Sequence, residues 1–124
     1  VVSTLLEDLD QRGLLDSTLV LVMGEFGRTP NVNANAGRDH WSHCWSMVLG
    51  GGGIRGGQVI GASDEKAAYV ADRQVTTGDL FATVYKAFGS DWTKSYPSPI
   101  GRPIYIANSS LDDTHGEPIE ELVS

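Results

Sequence analysis

A single cysteine, Cys44, in 124 residues leaves no internal disulfide and no thiolate zinc site. The expected role for Cys44 is a buried apolar filler. Basic residues are also few: nine Lys plus Arg stand against sixteen Asp plus Glu, a formal charge of −7, and they cluster nowhere. Nucleic-acid backbones require clustered cations to displace counterions, so that partner class is excluded. No apolar run approaches membrane-spanning length, so no transmembrane segment is expected here. The Gly-x-Ser-x-Gly elbow, His-Glu-x-x-His and the Walker loop are missing, which removes the commonest serine-hydrolase, zinc-protease and nucleoside-triphosphatase signatures. No leader-like segment is present either. The chain opens on Val1 inside residues that already carry helical spacing, so it reads as a C-terminal fragment of something longer, and location is not legible from it.

What is present suits a folded domain: 40% hydrophobic and 20% charged residues are too apolar for an acidic tail and predict a real core. Val1, Val2, Leu5, Leu6 and Leu9 recur at helical intervals, and Gly13 supplies a left-handed stop. After the turn at Asp16-Ser17, residues Thr18 to Met23 form a continuous branched apolar run, expected as a parallel strand buried on both faces. Trp45 to Leu49 is expected as a second strand. A helix, a short turn and a doubly buried strand together predict an α/β layered fold. Gly24 to Asp39 has no apolar period and is expected as one long polar loop at the C-terminal end of the first strand, where open α/β sheets place ligands.

Gly51-x-Gly53-x-x-Gly56 matches the dinucleotide pattern, but the residues after it look extended, and that fingerprint works only by opening a helix. The glycines of this stretch are expected at turns and close backbone approaches. Thr76-x-x-Asp79 fits a capping box with Asp for Glu, and Leu80, Phe81, Val84, Tyr85 and Phe88 then line one helical face until Gly89. Residues 91–102 read as irregular and Pro103 to Ile106 as a short edge strand. The tail from Ser109 to Ser124 is acidic and turn-rich, with a last helical turn over Pro118 to Val123. Asn108-Ser109-Ser110 is a glycosylation sequon too short to weigh. An isolated piece with open edges at Leu19 to Met23 and Trp45 to Leu49 is expected to aggregate.

The polar loop gathers the candidate chemistry: Glu25 just past the strand, Arg28 beside it, and then Arg38-Asp39-His40-Trp41-Ser42-His43. Carboxylate plus imidazole suits a divalent metal with an open coordination position. Adjacent ligands such as Asp39 and His40 face opposite sides of a regular strand, so that reading requires an irregular loop or two neighbouring metals. The other reading has Asp39 capping a turn and His40 bonding a loop carbonyl. Arg28 and Arg38 either hold an anion by bidentate hydrogen bonds or pair with Glu25 or Asp39. His43 is expected near the core, and His115 exposed in a turn.

Three blocks carry a resemblance to a known family: Met23-Gly24-Glu25-Phe26-Gly27-Arg28-Thr29-Pro30, Gly37-Arg38-Asp39-His40-Trp41, and Gly51 through Gly61. Asp72-Arg73, Thr76 to Leu80 and Gly101-Arg102-Pro103 continue it in order. The sequence resembles the bacterial domain of unknown function 1501 family, a branch of the alkaline-phosphatase and sulfatase-like superfamily. The resemblance implies that residues 1–124 are the C-terminal portion of a single α/β/α sandwich domain, in a periplasmic or extracytoplasmic parent. It further implies a metal-dependent phosphate- or sulfate-ester hydrolase. Zinc, calcium, magnesium or manganese would be held by Glu25, Asp39 and His40, and Arg28 or Arg38 would steady a small anionic ester or a sulfated or phosphorylated carbohydrate. The superfamily's usual Asp-His or Asp-Asn pair after the strand is replaced here by Gly24-Glu25-Phe26. That departure supports the alternative, a non-catalytic exported binding or scaffolding protein that keeps the fold. No nucleophile is assigned.

Overall fold

The computed structural model describes residues 1–109 and 114–123 and shows a mixed α/β chain of two helices, a 3-10 turn and eight short strands. The last residue of the sequon, Ser110, lies outside the described residues, as does part of the acidic tail. The strands pair two by two: β1 (Val20–Val22) with β4 (Val48–Gly50), β2 (Gly27–Arg28) with β3 (His40–Trp41), β5 (Ala62–Ser63) with β6 (Val70–Asp72), and β7 (Ser95–Pro97) with β8 (Pro103–Tyr105). The last three pairs are antiparallel. Two compact units result, one of residues 1–19, 50–58 and 75–124, the other of residues 20–49 and 59–74. No helix among the described residues is long and apolar enough to cross a membrane.

In the first unit, helix α1 (Val2–Gln11) forms where the spacing predicts it and gives way to Gly13, whose φ of 68° only glycine adopts without strain. The glycine run also behaves as expected: Gly52 donates its N–H to Leu15 O at 2.8 Å, and a Cβ on Gly51 would meet the carbonyls of Leu15 and Thr18. The next element after these glycines is the strand β5.

Helix α2 (Thr77–Ala87) is opened by the complete capping box: Asp79 N–H donates to Thr76 Oγ1 at 3.1 Å while Asp79 Oδ2 accepts from Thr76 N–H at 2.8 Å. Its buried face differs from the expected one. Leu80 is buried, but Phe81 and Phe88 stand exposed, and the helix instead hides Gly78, Ala82 and Thr83. The reason is the tail, whose Ile119, Leu122 and Val123 are buried alongside Ala107. The tail's backbone also docks on the helix: Glu117 N–H donates to Asp79 Oδ1 at 2.9 Å and Ile119 N–H to Thr83 Oγ1 at 2.9 Å. A Cβ on Gly116 would overlap the backbone of Gly78, an approach that only small residues permit. The acidic tail thus supplies core, and residues 120–122 form a turn.

Three further corrections concern strands. Ser95–Pro97, expected as irregular, pairs with β8 in the register Tyr96 to Ile104. The apolar run at Thr18 to Met23 does form a strand, but Leu21, Val22 and Met23 are each more than a third exposed. Burial on both faces needs a covering layer, and the second unit contains no helix to provide one. Trp45 to Leu49 becomes strand only at Val48–Gly50.

Candidate functional site

The polar segment Gly24 to Asp39, expected as one long polar loop, holds the first arm of a hairpin, β2, and the loop that connects it to β3. Gly27 pairs with Trp41 and Arg28 with His40, and the ladder runs on through Thr29 N–H to Asp39 O at 3.0 Å and Asp39 N–H to Thr29 Oγ1 at 3.1 Å. Gly27 is required here because a Cβ would run into the carbonyls of Cys44 and Trp41. Cys44 itself is half-buried. Side chains close the connecting loop: Asn33 Oδ1 accepts from the N–H groups of Asn35 and Gly37, both at 3.0 Å, as Asx turns do. Asn33 Nδ2 donates to Asp39 Oδ1 at 2.9 Å.

Arg28 and Arg38 brace this loop. Arg28 Nη1 donates to Arg38 O at 3.2 Å, and Arg38 Nη1 donates to Thr29 O at 2.7 Å and to Pro30 O. Neither pairs with Glu25 or Asp39; both spend donors on carbonyls that the tight loop leaves without backbone partners. Arg28 also lies over the Phe26 ring, 5.4 Å from its centroid, and His40 stacks on that ring at 3.9 Å.

Strand alternation then sorts the candidate ligands. Asp39 and Trp41 line an open cleft of about 350 Å³, while His40 between them is stacked on Phe26. Glu25 is exposed in the bend before β2. Among the described residues no three His, Cys, Asp or Glu side chains come together as a metal-binding group. As arranged, Glu25, Asp39 and His40 do not fit one shared ion.

The other wall of the cleft comes from residues 66–69, which the sequence reading did not single out. Asp64 builds it: Oδ1 accepts from Lys66 N–H at 3.1 Å and Ala68 N–H at 2.8 Å, and Oδ2 accepts from Tyr69 N–H at 3.3 Å. The signal was an aspartate at the head of a short polar turn between two extended stretches. Across the cleft, Trp41 Nε1 donates to Ala68 O at 2.6 Å, which fixes the indole. Trp41 and Tyr69 meet edge to face at 5.7 Å, and His43 leans on both, 4.7 Å from Trp41 and 5.3 Å from Tyr69. His43 is itself exposed, so it buttresses an aromatic surface and is not a core residue. His115, expected in the open, is half-buried against Tyr105, its Nδ1 3.5 Å from Glu117 Oε1.

The site is therefore a shallow cleft with two fixed aromatic rings, an amide at Asn31, a carboxylate at Asp39 and an ammonium at Lys66. Such an array holds small polar molecules by ring stacking and directed hydrogen bonds. No curated protein and no solved structure matches the chain. One family model does, that described as "Protein of unknown function (DUF1501)", over residues 1–123, and the chain belongs to that family.

Proposed function

We propose that the hairpin unit binds a carbohydrate-like ligand in the Trp41–Tyr69 cleft, as part of an exported protein built on the alkaline-phosphatase and sulfatase-like α/β/α sandwich. The observation that carries this reading is that Asp39 and Trp41 line the cleft while His40 between them is stacked on Phe26. A pyranose offers what the cleft asks for: an apolar ring face for Trp41 and Tyr69, and hydroxyls for Asn31 and Asp39. Binding, rather than ester hydrolysis by these side chains, is the function assigned to them. A metal-dependent hydrolase centred on Glu25, Asp39 and His40 would need those three groups on one side of the hairpin, and β3 separates two of them.

The test titrates the full chain with methyl glucoside while following Trp fluorescence, beside Tyr69→Ala. Saturable quenching that is lost in Tyr69→Ala, with its circular dichroism unchanged, is the expected result. The overturning result is no saturable response, together with stoichiometric zinc, calcium, magnesium or manganese that disappears in the folded Asp39→Ala, His40→Ala double variant. That pair of findings would restore the metal-dependent ester hydrolase.

A further inference from the structure

Two opposite charges line the cleft without meeting. Lys66 is exposed there, and its ammonium makes no hydrogen bond or ion pair among the described residues. Asp39 gives Oδ1 to Asn33 Nδ2, which fixes the carboxylate plane, and its Oδ2 has no partner among the described residues. Each charge sits on a backbone held by other contacts: Lys66 N–H is tied to Asp64 Oδ1, and Asp39 N–H to Thr29 Oγ1. The only polar atom of the Trp41 indole is already spent on Ala68 O, so that ring offers a ligand its apolar surface alone. The lining of the cleft therefore carries a cation, a carboxylate and two aromatic rings.

We infer that the cleft selects a pyranoside carrying one negative group, with Lys66 Nζ on the anion, Asp39 Oδ2 accepting from a ring hydroxyl and Trp41 beneath the ring. This inference rests on the carbohydrate-binding reading above and adds the ligand's charge and polarity. Size agrees: about 350 Å³ is near the lower end of the range of about 300–1,000 Å³ typical of ligand pockets and suits one or two sugar rings. Charge agrees as well. A chain of net charge −7 repels anions in general, so acceptance of an anionic sugar needs a local cation, and Lys66 is the one in this cleft. The carboxylate of Asp39, the other charge lining the cleft, works against a second negative group, which limits the ligand to one anion. A uronate carboxylate and a sulfate ester both qualify, since an ammonium recognises either as a point charge.

Fluorescence titration of the full chain compares methyl glucoside, glucuronate and glucose 6-sulfate, and repeats all three with Lys66→Gln. Either anionic sugar is expected to bind about two- to fivefold more tightly than the glucoside, as suits an exposed charge contact, and the advantage should shrink with added salt. The tighter of the two identifies the anion. Lys66→Gln is expected to abolish the advantage, so that both anionic sugars bind this variant no more tightly than the glucoside does, with Lys66→Arg restoring most of it. Equal binding of all three sugars, or an anionic preference that survives in Lys66→Gln, overturns the inference while the carbohydrate reading stands. No saturable response to any sugar removes that reading, and this one with it.

Discussion

Helix α2 with its tail and the hairpins around the cleft are held by different means. Around α2, Leu80, Ala82, Thr83, Ala107, Ile119, Leu122 and Val123 are all buried, and the helix is capped at both ends by elements visible in the sequence. In the hairpin unit, residues 20–49 and 59–74, Gly27 is the one buried residue. What fixes that unit is the set of hydrogen bonds from Asn33, Arg38 and Asp64 to backbone groups. A packed core resists loss of volume poorly, whereas a hydrogen-bonded turn is indifferent to volume and sensitive to loss of one acceptor. The cleft belongs to the second kind, which leaves its rings and charges open to solvent and to ligand.

The largest expected effect is on the packed side. Leu80→Ala removes a side chain that is 2% exposed, and it should cost about 2–5 kcal/mol in a denaturant titration of the full chain. Hydrogen exchange should then show faster exchange over α2 and residues 116–123, with amides at 27–29 and 39–41 little changed. Uniform acceleration in both units would show that they unfold as one, and the contrast would fail.

Asp64→Ala comes next. Three backbone N–H groups lose their acceptor, at an expected cost of about 1–3 kcal/mol. Exchange should quicken at residues 66–69 and sugar affinity should fall, while α2 stays protected. Retained affinity in Asp64→Ala would mean that the 66–69 wall does not need its turn.

Thr76→Ala deletes one half of the capping box and should lower stability by about 1 kcal/mol, read as a shift in denaturant midpoint. Because Asp79 keeps its bond to Glu117 N–H, the tail should remain docked. Loss of tail protection in this variant would show that cap and tail act as a single device.

The smallest effect is one of pH. The Thr93 hydroxyl and then its N–H donate to Asp91 Oδ1, at 2.6 and 3.0 Å, and with Lys94 and His115 nearby they hold this carboxyl below its ordinary value. A depressed value means the stabilisation is complete above the ordinary carboxylate range and is lost as pH falls through the lowered one. Asp91→Asn should therefore lower neutral stability slightly and flatten the acid limb of a stability–pH profile by the same small amount, so that variant and wild type converge at low pH. An unchanged acid limb would assign Asp91 no part in it.

These contrasts also explain what was legible in the sequence. The capping box at Thr76 and Asp79 and the Gly13 and Gly89 stops depend on neighbours a few residues away, so local chemistry reveals them. The face of α2 does not: Ala82 and Thr83 are buried because a tail some 35 residues later lies on them, and periodicity favoured the larger Phe81 and Phe88. The β2–β3 hairpin has two residues per strand, too few to show alternation, and polar side chains replace the apolar signal. At the site, residue type suggested Asp39 as a metal ligand beside His40, whereas the structure has Asp39 lining the cleft and His40 stacked on Phe26, a difference set by contacts to Asn33 and Phe26 that residue type does not reveal. Lys66 and Tyr69 were missed because they reach the cleft from a separate stretch whose single cue is the Asp64 turn.

The contact between Gly116 and Gly78 has a consequence for the order in which this chain is built. Residues 77–87 leave the ribosome well before residues 116–123, yet the helix has no complete hydrophobic seat until those residues arrive. Closing a loop of that length costs little more entropy than closing one half as long, so the delay is set by synthesis rather than by search. An isolated helix of 11 residues is marginal in water, so for that interval the capping box favours α2 without securing it, and the arrival of the tail is what covers Leu80.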